Sequence, residues 1–482
     1  MSSRRDQVQS YQFFVQRMTS ALVSREPDPE NGAPFRRLGG AGFASIMVAV
    51  LCLAAVGVYG ILRPGGATTW QTEGAVILEK ETGTRYIYRD GHLYPVINYS
   101  SALLALGKAA DTVSVSRNSL LGTPRGTPIG IRDAPDALPD PKRLLAGPWT
   151  LCTQSVPDSA GADSATAVLT VGVAPGGGRE LGEMALLVRD TTTGRLHLIW
   201  QDYRYEIQDE SIVLEGLTMT TERQVEVGGA WLNALPAGEP IGIRNVLGRG
   251  EVSQTMPDTR VGQILVVENQ SGGRQYYLVE RAQLRPLTQL EAEVLLADPE
   301  TTRAYPNGAV PEPVSLSAGA AAAAPKAPPA AEGPHRAPGE RPEILREVGD
   351  QPAVCAAYHP GRSEPTLRLE GQVQQVQEPV LTPEQSSAGI PLADRVVIEP
   401  GHGVLVEAMP APDAATGALS LVTDLGYRHS LGSREVANML GYGGVEPIAL
   451  PASLVDRLPA GPALDPVAAK QALDPAQPEL PQ

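Results

Sequence analysis

Beyond residue 43 the sequence has no phenylalanine, since all four lie at the front as Phe13, Phe14, Phe35 and Phe43. Any core after that point is built from Val, Leu, Ile, Ala and a few Tyr and Trp, which fits several small modules better than one large globule. Positive charge is also short. There are 39 Lys and Arg against 54 Asp and Glu, a net charge of -15, which argues against nucleic acid or anionic lipid as the main partner of the bulk. No heptad or collagen period runs through the chain, and an apolar content of 42 % excludes a wholly disordered one. What is plentiful is glycine and proline, 50 and 44 of 482 residues, so turns are frequent and long helices few. The length leaves room for about three domains of about 150 residues each.

Recognisable reaction chemistry is missing as well. A P-loop needs Gly-x-x-x-x-Gly-Lys-Ser/Thr so that backbone amides and a lysine surround the phosphates, and no such string occurs. The glycine cluster Gly176-Gly-Gly-Arg-Glu-Leu-Gly182 has no lysine and reads as a loop. The six histidines, His92, His197, His335, His359, His402 and His429, show no metal spacing, and there is no Gly-x-Ser-x-Gly elbow. His402, in Pro400-Gly-His-Gly403, reads as part of a turn or bulge. We therefore read no catalytic, cofactor-binding or metal site.

One long apolar run is present. Leu38 to Leu62 contains no ionisable side chain and is bracketed by Arg36, Arg37 and Arg63. As a helix it measures about 37 Å, enough to cross the roughly 30 Å hydrocarbon slab with some tilt. A cleavable signal peptide would have a shorter apolar region nearer the terminus and a small-x-small site after it. Residues 1–37 carry six Arg and four acids, while the remainder holds 33 basic and 50 acidic residues. The positive-inside rule then puts the N-terminal tail in the cytoplasm and the bulk outside. In the tail, Val8, Tyr11, Val15, Met18 and Leu22 form one helical stripe that ends before Pro27, with Phe13 and Phe14 widening it. Two readings of this stripe stand: a helix resting on the bilayer, or one docking on a partner's cytoplasmic domain.

The outer part is internally duplicated. Pro124-Arg-Gly-Thr-Pro-Ile-Gly-Ile-Arg132 and Pro236-Ala-Gly-Glu-Pro-Ile-Gly-Ile-Arg244 agree at seven of nine positions. Upstream of each lies a hairpin pattern, residues 85–96 and 195–207, and similar runs cover 274–287 and 418–431. Short helical stretches follow at Ser100–Gly107, Thr288–Leu296 and Ser433–Gly441, the last two with N-capping patterns. Between copies, two β-like stretches each begin near a cysteine, at Trp149-Thr-Leu-Cys152 and Pro352-Ala-Val-Cys355. Each then runs into an expected strand pair, 167–171 with 184–188 and 395–399 with 403–407. The body thus reads as two related halves, about 74–250 and 258–470, packed about a pseudo-twofold axis. Cys52 lies in the apolar run, so Cys152 and Cys355 are the two thiols expected outside, at corresponding places. We expect them to form a disulfide across the axis; two buried free thiols are the alternative. The stretch from Pro311 to Pro352 is rich in proline and alanine and reads as a loop or spacer without a core.

Several segments together resemble the EccB family, the single-span core component of the type VII (ESX) secretion machinery of actinobacteria. They are Arg17-Met-Thr-Ser-Ala-Leu-Val23, the lone span, Glu81-Thr-Gly-Thr-Arg-Tyr-Ile-Tyr-Arg-Asp-Gly91 with Pro95-Val-Ile-Asn-Tyr99, Ala134-Pro-Asp-Ala-Leu-Pro139 with Gly147-Pro-Trp-Thr-Leu-Cys152, and Leu458-Pro-Ala-Gly-Pro-Ala-Leu-Asp465. The resemblance implies four repeat modules around a central β domain and a place in a hexameric inner-membrane complex that exports WXG100-type proteins. It implies contacts with EccC, an FtsK-like ATPase, with EccD and EccE, and with the mycosin protease, as well as self-association of ectodomains. The fold expected is α+β and β-rich: one N-terminal transmembrane helix plus an elongated pseudo-twofold ectodomain. Its division is a cytoplasmic tail 1–37, a span 38–62, repeats at 74–140, 191–250, 258–310 and 416–470, central halves at 141–190 and 352–415, a Pro/Ala-rich loop 311–351 and a flexible tail 471–482. The expected function is a non-catalytic structural subunit, single-pass in the inner membrane. The alternatives are a membrane-anchored ATPase or hydrolase, as such proteins are often labelled, and a cell-wall-binding anchor.

Overall fold

The computed structural model describes residues 4–24, 35–62, 68–157, 163–269, 272–330, 333, 335–349, 352–372 and 380–473. Two helices, Arg4–Ser24 and Phe35–Leu62, precede the β-rich body. The flanking Arg63 and residues 474–482 of the expected tail lie outside the described residues.

In the body four small sheets share one strand order, in which a hairpin is extended by an earlier strand and then by a later one. The first runs His92–Val96, Arg85–Arg89, Val76–Glu79, Thr112–Val115, and the second Tyr203–Glu206, Leu196–Trp200, Leu186–Asp190, Gln224–Val227. The third runs Leu284–Leu287, Arg274–Val279, Ile264–Glu268, Val314–Ser315, and the fourth Arg428–Ser430, Ala418–Thr423, Gly403–Met409, Ile448–Pro451. In the last three the added outer strand is parallel to its neighbour, so the chain must cross over. It does so through a helix: Glu210–Gly216, Gln289–Ala297 or Arg434–Met439, with Tyr99–Leu106 in the first. Side chains start three of these helices. Asn98 accepts from Ser101 N–H, Ser433 from Val436 N–H, and Thr288 and Glu291 cap each other's backbone reciprocally.

Two expected strands change place. Leu186–Asp190 and Gly403–Met409, assigned from sequence to the central segments, are the inner strands of the second and fourth small sheets. A two-stranded hairpin is marginal alone, and each captures the nearest apolar run, here buried at nearly every position. The expected loop 311–351 also packs in part. Val314–Ser315 completes the third sheet, Ser317 caps a short helix Ala318–Ala323, and Ala321, Ala327, Ile344 and Leu345 are buried. Alanine is small enough to fit against a sheet at low entropy cost.

A further element lies along the outer strand of every small sheet. Leu93, Arg204, Leu284 and Arg428 donate their N–H to the carbonyls of Pro124, Pro236, Pro325 and Pro459. Each accepts in turn from the residue two beyond the proline: Gly126, Gly238, Ala327 or Gly461. The next side chain on the outer strand is Tyr94, Tyr205 or His429 in the three glycine cases, and a Cβ on the glycine would overlap that ring. In the third sheet the ring is replaced by Arg285, and alanine takes the glycine's place. The duplicated Pro-x-Gly motif is therefore an edge cover; the cover occurs four times, as Pro-x-Gly in three sheets and as Pro325-Lys326-Ala327 in the third.

The central sheet has seven strands in the order Val380–Leu381, Arg395–Val397, Asp163–Val171, Trp149–Pro157, Val354–Tyr358, Thr366–Gln372, Gly176–Glu180. Its middle is the antiparallel pair 149–157 with 354–358, in which Cys152 faces Cys355. On either side the halves exchange a strand. Gly176–Glu180 joins the second half's Thr366–Gln372, and Arg395–Val397 joins the first half's Asp163–Val171. The principal core lies against this sheet, with Trp149, Trp231 and Tyr358 wholly buried. The first sheet's helix shares a core with the fourth's, and the second's with the third's, where a Cβ on Gly216 would come 2.9 Å from the Glu293 carbonyl.

Cys152 and Cys355 are disulfide-bonded across 203 residues of sequence. Closing so long a loop in the unfolded chain is worth up to about 5 kcal/mol in the chain-entropy model. Replacing both cysteines by serine is expected to lower the urea midpoint and to raise the m-value, because the unfolded chain without its cross-link exposes more surface. Non-reducing peptide mapping of the parent should yield one cross-linked 152–355 peptide; two alkylatable thiols would contradict it.

Candidate functional site

Three places carry candidate chemistry: the disulfide seam, the N-terminal helices, and the clusters of ionisable groups in the body. At the seam, Cys355 is wholly buried and Cys152 nearly so. A Cβ on Gly371 would lie 2.9 Å from the Cys355 sulfur, so the neighbouring strand closes over the bond and leaves no room for a thiolate to attack it. The bond is structural rather than catalytic.

In helix Arg4–Ser24 the stripe residues Val8, Tyr11, Val15, Met18 and Leu22 are all exposed, from 43 % to 77 %. At about 100° per residue, Phe14 borders the stripe while Phe13 falls on the far face, so only one of the two phenylalanines widens it. In helix Phe35–Leu62 the stretch Gly39–Gly60 has a mean hydropathy of 2.4 and none of it is buried. Exposed apolar surface of this extent marks a membrane or protein contact.

The glycine cluster, expected as a loop, is a strand at the edge of the central sheet. The Arg368 guanidinium donates to the carbonyls of Gly177 and Gly178 and pairs with Glu180 at 3.0 Å. These glycines thus serve a backbone contact, with a cation on their carbonyls instead of amides free for a phosphate. His402 lies in a turn, its N–H donating to the Glu399 carbonyl. Among the described residues no group of three or more His, Cys, Asp or Glu converges as metal ligands.

Of the three carboxyls moved from their ordinary values among the described residues, Asp202, Asp394 and Glu280, the first lies in the most unusual turn. Gln201 and Asp202 form the hairpin turn of the second sheet, both at positive φ. Burial pushes the Asp202 carboxyl up to about 6, against a backbone hydrogen bond from Leu367 and with Glu364 adding repulsion. Sequence offered no sign of this, because most of the groups around Asp202 come from residues 362–367 of the other half. A raised folded pKa means that its contribution to stability is present below about pH 4 and is lost as pH rises through about 6. Asp202→Asn, tolerant of the same backbone, is expected to raise the melting temperature at pH 7 and to leave it nearly unchanged at pH 4; equal shifts at both would contradict this reading.

A family model described as "Type VII secretion system ESX-1, transport TM domain B" matches residues 1–478. The ESX-2 secretion system ATPase EccB2 of Mycobacterium tuberculosis is 27 % identical over 317 residues, 64 % of this chain. That match spans 62 % of the relative, less than two thirds of its length. The ESX-1 secretion system ATPase EccB1 of Mycolicibacterium smegmatis is 26 % identical over 96 % of this chain and 94 % of the relative. Among solved structures, a chain of an intact ESX-5 inner membrane complex superposes with TM-score 0.58 at 23 % identity, covering 100 % of this chain and 98 % of that one. An EccB3 dimer from an ESX-3 core complex gives TM-score 0.56 at 21 % identity, over 82 % of this chain and 99 % of that one. At such identities these likenesses establish the fold.

Proposed function

The chain belongs to the EccB family of type VII secretion systems, and from that premise we propose that it is a non-catalytic structural subunit of an inner-membrane secretion complex. The observation that carries this reading is the exposed apolar helix, 28 residues long, on a chain whose extramembrane part is a β-rich body centred on a disulfide-joined sheet. A body tied together in this way suits a structural role. The relatives' names include the word ATPase, but the sequence contains no Gly-x-x-x-x-Gly-Lys-Ser/Thr string, and the glycine cluster at 176–182 presents an arginine-capped strand. A scaffold role is the reading these residues support.

The proposal extends to topology and partners. The tail is cytoplasmic and the body extracytoplasmic, following the excess of arginine before the span. The tail helix docks on the cytoplasmic parts of the other core subunits, EccC, EccD and EccE, and the body associates with copies of itself and with the mycosin protease. The cargo is of the WXG100 type, and the body is divided into four repeats about its centre. Two experiments test this. Tyr11→Glu with Met18→Glu is expected to remove the chain from the complex co-purified in mild detergent, while leaving the disulfide-mapped body intact; unchanged co-purification would favour a helix that only rests on lipid. Protease added to spheroplasts is expected to digest the chain beyond residue 63, and full protection of the body would reverse the topology.

A further inference from the structure

The second and fourth small sheets carry an arginine at the same point, and only one of the two has an acidic partner. Arg204 and Arg428 each donate their backbone N–H to the proline of the edge cover, Pro236 or Pro459. The eight residues ending at those prolines align without a gap, Gly229-Ala-Trp-Leu-Asn-Ala-Leu-Pro236 against Ala452-Ser-Leu-Val-Asp-Arg-Leu-Pro459. In the fourth sheet the Arg428 guanidinium lies 3.0 Å from Asp456 and its Nε donates to the Leu458 carbonyl at 3.3 Å. At the place of Asp456 the second sheet has Asn233, whose amide donates to the Gly229 carbonyl at 2.8 Å. The carboxylate is replaced by a neutral group.

Arg204 consequently has no ion pair among the described residues, and its Nε is buried without a hydrogen-bond partner. Burial lowers its pKa against the attraction of Glu206 and Asp190. Neither of those satisfies it: Glu206 pairs with Arg195 at 3.1 Å, and Asp190 accepts from Thr192 N–H and the Thr193 hydroxyl. A half-buried cation without a counter-charge is costly, and here it borders open space. Arg204 lines a cleft of about 520 Å³ walled by Pro236, Met409, Pro410, Pro412, Leu450 and Pro451. Arg362 and Glu364 line it too, and the Glu364 carboxylate faces the Tyr203 hydroxyl at 3.5 Å, so the lining carries one net positive charge.

We propose that this cleft binds the carboxylate of an acidic peptide segment, seated against Arg204 where Asp456 sits against Arg428, with the segment's apolar neighbours against the proline wall. A guanidinium takes a carboxylate in two parallel hydrogen bonds, and the apolar walls favour a carboxylate carried on a chain over a bare anion. The side chain of Asp or Glu and a chain's C-terminal carboxylate offer the same chemistry.

The test uses the full chain in detergent and fluorescence anisotropy with three labelled peptides: Ala-Leu-Glu-Leu-Ala blocked at both ends, the same with Gln for Glu, and the Gln peptide with a free C-terminus. At least one carboxylate peptide is expected to bind about tenfold or more tightly than the blocked Gln peptide, and which of the two does so identifies the source of the carboxylate. Asn233→Asp supplies the missing partner from within, so it is expected to raise the melting temperature and abolish that binding; Arg204→Gln should abolish it as well. Equal binding of all three peptides, binding of none, or binding retained in a folded Asn233→Asp variant would overturn the proposal.

Discussion

The body depends on one strand pairing, 149–157 against 354–358. All five other pairings between neighbouring strands in the central sheet lie outward from it, and the principal core of Trp149, Trp231 and Tyr358 is assembled on it. Because Cys152 and Cys355 face one another in this pair, the covalent bond falls on the same line as the hydrogen bonds that join the halves. Each half also gives a strand to the other, through Gly176–Glu180 and Arg395–Val397. Separating the halves would therefore break the sheet in three places, and neither half retains a complete sheet by itself.

The edge cover answers a constraint that four small sheets would otherwise share. The outer strand of a hairpin presents unpaired amides and carbonyls, which invite another strand. Here a proline-started segment takes that place, and proline, lacking an N–H, is a poor template for the next one. The match of glycine with an aromatic neighbour, and of Ala327 with Arg285, shows how tightly the segment lies on the sheet.

Much of the organisation was legible because repetition amplifies weak signals. The two Pro-x-Gly strings share seven identities, and four hairpin patterns recur at related spacing. The two cysteines drew attention because each opens the central stretch of its half. What escaped was whatever depends on contacts between distant segments. An apolar run such as Leu186–Asp190 has the same periodicity whichever hairpin it joins, so pattern alone placed it in the centre. Composition hid Val314–Ser315 and the cover at Pro325 inside a stretch dominated by alanine and proline. The raised Asp202 carboxyl reflects Glu364, more than 100 residues away, and the unaccompanied Arg204 shows only when its sheet is set beside the one that carries Arg428 and Asp456.

The exchanged strands also set an order on the chain's production. Strand Asp163–Val171 waits for Arg395–Val397, and Gly176–Glu180 waits for Thr366–Gln372, so the central sheet cannot close until nearly 400 residues have been made. Pairings of such high sequence separation form slowly. Each small sheet, by contrast, draws its strands from one contiguous stretch and can form as soon as that stretch emerges. During synthesis the molecule thus passes through a string of early-formed small sheets joined by central strands that are paired only within their own half, and its assembly ends at the centre.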